Sequence, residues 1–112
     1  MSKLDEKLVI YADMLIKMGH KVDQDLLKGV TKACGPSIYN NDGETVSSSS
    51  ESELETVKNN FIVKKLGEKN DATADKAIAK VVEDFGSENR HKYRAVFYYL
   101  LAKAYKKESQ FK

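Results

Sequence analysis

The residue types that most often carry out catalysis are sparse in this chain of 112 residues. It contains two histidines and one cysteine: His20 lies in a predicted connection, His91 near the start of the last predicted helix, and Cys34 on a short helix. Loops separate these residues, so their spacing pairs no nucleophile with a base. Cys34 lies on the apolar side of its helix, which is typical of a small buried core residue.

Potential metal ligands do not form a recognisable site either. Residues 40–44 have the turn composition of a calcium loop, but Ile38 and Ser49 occupy the first and last ligand positions of such a loop. Histidine, cysteine and carboxylate residues show no metal-ligand spacing, and there is no glycine-rich phosphate loop. We therefore expect no metal and no other cofactor, and we predict that the protein is not an enzyme.

Helical periodicity dominates the chain, and the helices that it predicts position the other candidate residues. Apolar residues recur at three- and four-residue intervals in five stretches, and no stretch alternates with period two. The first three helices are predicted over residues 3–18, 23–34 and 50–66. The fourth starts at Asp71 or Thr73 and runs to residue 85, and the fifth covers about 20 residues that follow an N-cap at Ser87. The fold class is therefore all-α: a compact bundle of two antiparallel helix hairpins plus a long C-terminal helix, in a single domain spanning residues 1–112.

One irregular segment, about residues 35–50, interrupts the helical pattern. It contains the only proline, a run of turn residues and four consecutive serines at 47–50. Ser50 and Glu53 are typical of a capping box that opens the third helix. Ile38 and Tyr39 are large and apolar, so we expect the segment to fold back and place both side chains in the core.

Charge is nearly balanced overall but unevenly distributed. The 19 basic and 17 acidic residues give a net charge of +2, yet residues 1–60 carry 7 basic and 10 acidic residues, while residues 88–112 carry 7 and 2. The apolar run at residues 8–16 is interrupted by Asp13, so it resembles neither a signal peptide nor a membrane span. With a single cysteine, these features predict a cytoplasmic protein that does not enter a membrane.

The last predicted helix has the strongest pattern for ligand binding. Lysines and a tyrosine fall within an arc of roughly 80° opposite its apolar stripe, at the 100° per residue of a helix. Lysines beside an exposed tyrosine suit contact with phosphates and stacking on bases, whereas the alternative is a solvated helix whose lysines stabilise its C-terminus. The candidate surface for a nucleic acid or another polyanion comprises Lys92, Tyr99, Lys103, Lys106 and Lys107.

Two arginines of the same helix point toward the edge of its apolar stripe. Arg90 and Arg94 would need a partner for the guanidinium group there. An internal ion pair with an acidic residue of one of the first three helices is the favoured interpretation. An anion site formed with the helix N-terminus at Ser87 is the alternative.

Some apolar residues are left over once each helix is assigned one core stripe. Val9, Met14, Ile16 and Val63 belong to this group, and uncovered they would form the kind of patch that marks an interface. The leading hypothesis is therefore a non-catalytic module that binds an unidentified protein through helical surfaces. The competing hypothesis is weak binding of nucleic acid or another polyanion. Either function is compatible with a monomer or a weak homodimer.

Three blocks of the sequence resemble a family of short bacterial proteins known only as a domain of unknown function. The blocks are GPSIYN at residues 35–40, ELETVKNNF at 53–61 and KYRAVFYYLL at 92–101. The resemblance implies a single-domain bacterial protein of the cytoplasm. It supplies no activity, ligand or catalytic residue.

Overall fold

A computed structural model of the chain describes residues 3–46, 50–86 and 92–111. These residues form an all-α fold without strands; one isolated bridge pairs Thr45 with Tyr93. The helices are α1 (Lys3–Lys17), α2 (Gln24–Cys34), α3 (Asn41–Glu44), α4 (Glu51–Val57), α5 (Ala72–Phe85) and α6 (Arg94–Ala104). A π-helical turn, Lys58–Val63, follows α4 directly, and 3₁₀ turns occupy Gly35–Tyr39 and Glu108–Gln110.

The two predicted hairpins are present, and their connections use the same local chemistry. Gly19 and Gly67 adopt positive φ angles of 87° and 71° at the ends of the first helices. Asp23 and Asp71 then cap the second helices, with their carboxylates accepting hydrogen bonds from backbone N–H groups of the first turn. Glycine tolerates the left-handed conformation and aspartate satisfies otherwise unpaired donors, so these boundaries follow from the sequence.

Residues 35–44 are more regular than predicted, since they contain a 3₁₀ turn and the short α3. Ile38 is buried as expected, but the prediction for Tyr39 is wrong because 48% of its surface is exposed. A 3₁₀ turn has three residues per turn, so two adjacent side chains point about 120° apart. Only one of the two apolar residues can therefore face the core.

The third predicted helix changes its winding halfway along. Leu66 N–H donates to the carbonyl of Phe61, five residues earlier, at 2.9 Å, which is the π-helical pattern. Phe61 and Ile62 are both buried, and the Phe61 ring stacks on Tyr98 of α6 with centroids 4.1 Å apart. The wider turn thus presents two consecutive large side chains to the core.

The C-terminal helix lies at the centre of the bundle and is shorter than predicted. It contacts α1, α2 and α5, and eight of its eleven residues are buried. A continuous helix of about 20 residues is wrong because Tyr93 is extended, with ψ 132°, and pairs with Thr45. The predicted cap at Ser87 lies outside the described residues.

The chain after α6 folds back across the bundle. The Phe111 ring stacks on Phe61 with centroids 5.7 Å apart, and the Phe111 backbone lies so close to α2 that a Cβ atom at Gly29 would overlap it. Gly29 therefore permits close packing of the C-terminal turn. The sequence offered no signal for this contact, since it joins residues far apart in the chain.

Candidate protein interface

The outer side of α1 carries apolar side chains that the fold leaves uncovered. Val9 and Ile16 are 59% and 61% exposed, and Ile10 is 42% exposed. Val9 and Ile16 lie seven residues apart, which is close to two helical turns, so both project from the same side of the helix. We call Val9, Ile10 and Ile16 the α1 outer face.

The opposite side of α1 is held firmly against the bundle. Tyr11 and Leu15 are fully buried, and the Tyr11 hydroxyl donates a 2.7 Å hydrogen bond to Glu44. Lys7 bridges to the same carboxylate at 2.7 Å, and the Tyr11 ring lies 5.1 Å from that of Tyr93. Burial, and secondarily the bond to Glu44, raises the pKa of the Tyr11 hydroxyl, so it remains a donor. These contacts fix which side of α1 faces solvent.

The predicted partner surface is only partly brought together. Val9, Met14 and Ile16 all border a shallow groove of about 710 Å³ along α1, but Met14 is partly buried against the core. Val63 lies on the π-helical turn, is also partly buried, and does not line this groove. Ile10 was missed because it falls between two apolar rows; its position one residue after Val9 was the available signal.

The exposed charges of α1 differ between its two ends. After the exposed Lys3, Asp5 and Glu6 are exposed in the first turns, whereas Lys17 and Lys21 are exposed at and just beyond the C-terminal end. Asp13 lies between them and pairs with Lys17 at 3.3 Å, with both side chains more than half exposed. An exposed pair at this spacing contributes only a few tenths of a kcal/mol, on the order of 0.3–0.5. Lys17 is therefore able to contact a further carboxylate.

The predicted polyanion surface on the last helix is not formed. Tyr99 is fully buried, accepts a hydrogen bond from Asp23 N–H at 2.9 Å and donates to the Lys21 carbonyl at 3.2 Å. Lys92 is only 3% exposed, and burial lowers the pKa of its ammonium group. The expectation that these side chains face solvent is wrong because α6 has neighbours on several sides, so the arc opposite its main stripe is also covered.

The other three lysines of that surface are more accessible but lie in different settings. Lys103 is exposed and its ammonium group lies 5.4 Å from the centroid of the buried Tyr99 ring. Lys106 is exposed at a left-handed residue with φ 57°, and Lys107 pairs with Glu68 at 3.2 Å. None of the five predicted residues offers an exposed aromatic ring for a base to stack on.

Arg94 forms the internal ion pair that the sequence predicted. Its Nη2 donates to Glu53 at 2.6 Å, its Nη1 to the Tyr98 hydroxyl at 3.2 Å and its Nε to the Gly43 carbonyl at 2.7 Å. Burial disfavours the charge, but the bonds to Tyr98 and Glu53 outweigh it, so the pKa of Arg94 lies above its usual value. The side chain thus joins α6 to α4 and α3 and is occupied by protein groups. Arg90 lies outside the described residues.

Cys34 lies beside this ion pair, and its thiol has low reactivity. It lines a cavity of about 340 Å³ together with Arg94 and Tyr98. Burial raises the pKa of the Cys34 thiol to about 12, although the Arg94 charge opposes this. The thiol is therefore protonated at neutral pH and a poor nucleophile.

Two further features bear on the kind of site the chain can offer. Within residues 3–46, 50–86 and 92–111, histidine, cysteine and carboxylate side chains form no group of three or more that could hold a metal ion. None of the helices in the same part of the chain combines the length and apolar composition that a membrane crossing requires. His20 lies near Asp84, with its Nε2 atom 3.8 Å from the carboxylate.

A second apolar groove, of about 520 Å³, runs between α4 and α5. Leu54, Ile78 and Val82 line it. Lys58 lies at its edge and bridges Asp75 at 2.6 Å and Glu55 at 3.2 Å, and the bond to Asp75 raises the Lys58 pKa. Because the ion pair between Lys58 and Asp75 joins the two walls, this groove is less open to a large partner than the α1 outer face.

Comparison with known proteins places the chain in a family without adding an activity. No curated protein matches the sequence with significant similarity. A family described as a protein of unknown function, DUF2853, matches residues 10–109, which include α2 to α6 and the C-terminal half of α1. The chain therefore belongs to the DUF2853 family, a domain of unknown function.

Proposed function

We propose that this protein is a non-catalytic module that binds a protein partner through the α1 outer face. The observation that carries the proposal is the pair Val9 and Ile16, each about 60% exposed on one side of a helix whose other side is fixed. Scattered exposed apolar residues are ordinary, but three large ones on one helix form a patch of the kind found at interfaces.

The energetics favour covering this face. Each Å² of apolar surface removed from water contributes roughly 25 cal/mol. A partner that covers these mostly exposed branched side chains therefore gains a favourable contribution to the free energy of binding. Their rigid support by Tyr11 and Leu15 limits the entropy lost on binding, since the helix is already ordered. The face is therefore suited to a helix or another apolar surface.

The non-catalytic part of the proposal is supported by Cys34, since burial raises the pKa of its thiol to about 12 and leaves it a poor nucleophile at neutral pH. We further propose that the protein acts in the bacterial cytoplasm, since its one cysteine cannot form an internal disulfide and suits a reducing compartment. Polyanion binding is the weaker alternative because Tyr99 and Lys92 are buried. We expect no mobility shift with DNA or RNA at low salt, where electrostatic binding is strongest.

Site-specific photocrosslinking tests the proposal. A photoreactive amino acid at Ile16 should give a crosslinked protein species in the native cell, whereas the same group at the exposed Lys80 of α5 should not. Adding Val9→Glu should abolish the Ile16 product while leaving the helical content, measured by circular dichroism, unchanged. Absence of a product at Ile16, or equal products at both positions, would contradict the proposal.

A further inference from the structure

We infer that the partner bound by the α1 outer face is a second copy of this chain, with its α1 packed antiparallel against the first. This inference rests on the proposed function and names its partner. Two observations support it: the symmetric placement of the exposed apolar residues and the positions of the charged residues along the helix.

The apolar residues are placed symmetrically about the middle of α1. Val9 and Ile16 lie equally far from the point between Ala12 and Asp13. If two helices run antiparallel about a twofold axis at that point, Val9 of each copy lies opposite Ile16 of the other. A twofold interface requires such self-complementarity, because the same patch serves both copies.

The charges of α1 complement themselves in the same alignment. Glu6 and Lys17 are eleven residues apart, so at 100° per residue they project within about 20° of each other and share one flank of the helix. A twofold axis places equivalent flanks side by side with the helix ends exchanged, so Glu6 of one copy lies beside Lys17 of the other. A parallel twofold alignment would instead place the equivalent flanks on opposite sides of the interface, so Glu6 and Lys17 of the two copies would not meet.

Two features limit the strength of this association. Asp13 lies next to the twofold axis, so the Asp13 carboxylates of the two copies approach each other, and each retains Lys17 of its own chain at 3.3 Å as a partner. Stable dimers usually cover about 800 Å² per partner, which is more than Val9 and Ile16 on one helix provide. The expected dimer is therefore weak and depends on concentration.

Sedimentation of the full chain, from about 10 µM to 1 mM, tests the inference. The natural chain should pass from monomer to dimer within this range. Glu6→Lys alone and Lys17→Glu alone should each remain monomeric, because each variant places like charges together at both ends of the interface. Glu83→Lys on α5 is the matched control, since Glu83 is exposed and distant from α1 in the chain; it should dimerise like the natural chain.

Mixing the two charge variants gives the most specific result. A pair made of one Glu6→Lys copy and one Lys17→Glu copy has opposite charges at both ends, so an equimolar mixture should recover the dimer that neither variant forms alone. Asp13→Asn should strengthen the natural dimer by roughly two- to fivefold, because it removes the like charges beside the axis. Circular dichroism melting confirms that each variant is folded.

The outcomes separate this inference from the proposed function. A chain that remains monomeric at about 1 mM, a dimer unaffected by Val9→Glu, or failure of the mixed variants to associate would overturn the inference. If Ile16 crosslinks to a different protein while the chain sediments as a monomer, the second-copy inference is wrong and the proposed function stands. If neither crosslinking nor association occurs, both are wrong.

Discussion

Helices α6 and α1 are both rich in apolar residues, but the fold treats them in opposite ways. Eight of the eleven residues of α6 are buried, against two of the fifteen residues of α1. α6 contacts α1, α2 and α5, whereas α1 lies at the edge of the bundle with the α1 outer face in solvent. An apolar residue on a helix is therefore informative about function only once the number of neighbouring helices is known.

The polar groups of the two helices differ in the same way: tyrosine hydroxyls of α6 are bonded within the protein, and an ion pair of α1 is exposed. The hydroxyls of Tyr98 and Tyr99 on α6 are bonded to protein groups, as buried polar atoms generally must be. On α1, Asp13 and Lys17 are exposed and their ion pair contributes little. α6 thus holds the fold together, while α1 has side chains available to a partner.

The largest contrast should appear when one apolar side chain is truncated on each helix. Leu101→Ala on α6 should lower the free energy of unfolding by about 2–5 kcal/mol, because Leu101 is fully buried and its removal leaves a cavity. Ile16→Ala on α1 should change it by less than about 0.5 kcal/mol, since Ile16 is mostly exposed. Urea unfolding monitored by circular dichroism measures both. Similar losses of unfolding free energy for the two variants would contradict the view that α6 is central and α1 peripheral.

The ion pair at the start of α6 should matter more than a surface pair. Glu53→Gln should cost about 2 kcal/mol, because it leaves the nearly buried Arg94 charge without its carboxylate; partial exposure of Glu53 keeps the loss below that of a fully buried pair. Glu55→Gln is the matched control, since Glu55 is exposed and pairs with Lys58, which also has Asp75. Its effect should lie within about 0.5 kcal/mol. The same urea titration measures the free energy of unfolding of both variants. Equal losses for Glu53→Gln and Glu55→Gln would mean that the ion pair of Arg94 contributes no more than a surface pair.

A single oxygen atom on α6 provides a finer test. Tyr99→Phe keeps the ring but removes the hydroxyl that bonds to Asp23 N–H and the Lys21 carbonyl. We expect a loss of about 1.5 kcal/mol, since both backbone groups lose a partner. Thermal unfolding gives the value. An unchanged melting temperature would mean that water replaces the hydroxyl and that Tyr99 is less enclosed than its burial indicates.

The smallest expected effect concerns the alkaline stability of the interior beside α6. The Cys34 pKa is raised from 9.0 to about 12, so the unfolded chain releases this proton at lower pH than the folded chain. Its contribution is therefore complete below pH 9 and is lost as pH rises toward 12, by about 1 kcal/mol between pH 9 and pH 10.

Cys34→Ala supplies the measurement for this pH dependence. Urea unfolding of the natural chain and of the variant at pH 8, 9 and 10 should give a shallower decline for the variant, because the tyrosine contributions are common to both. Parallel declines would mean that the Cys34 thiol ionises as freely in the folded protein as in the unfolded chain.

Some of the candidate residues could be predicted from the sequence because their behaviour is local. The angle of Val9 and Ile16 to the core stripe of one helix set them apart from that stripe, although their exposure was known only from the structure. The ion pair of Arg94 followed from the cost of an unpaired guanidinium group at an apolar edge. Tyr99 and Lys92 could not be predicted in the same way. A helical wheel gives directions around one helix and does not show how many neighbours that helix has.

The sequence by itself determined the all-α class, helices α1, α2 and α5 and the caps at Asp23, Ser50 and Asp71, because hydrogen bonding and apolar periodicity act over a few residues. Only the tertiary structure decided that α6 is central, that Tyr39 faces solvent while Ile38 is buried, and that Gly29 accommodates Phe111. These features depend on contacts between residues far apart in the chain. The α1 outer face depends on both the sequence and the tertiary structure. The sequence supplies its apolar residues and the charges beside them, and the packing of the helices leaves these side chains uncovered.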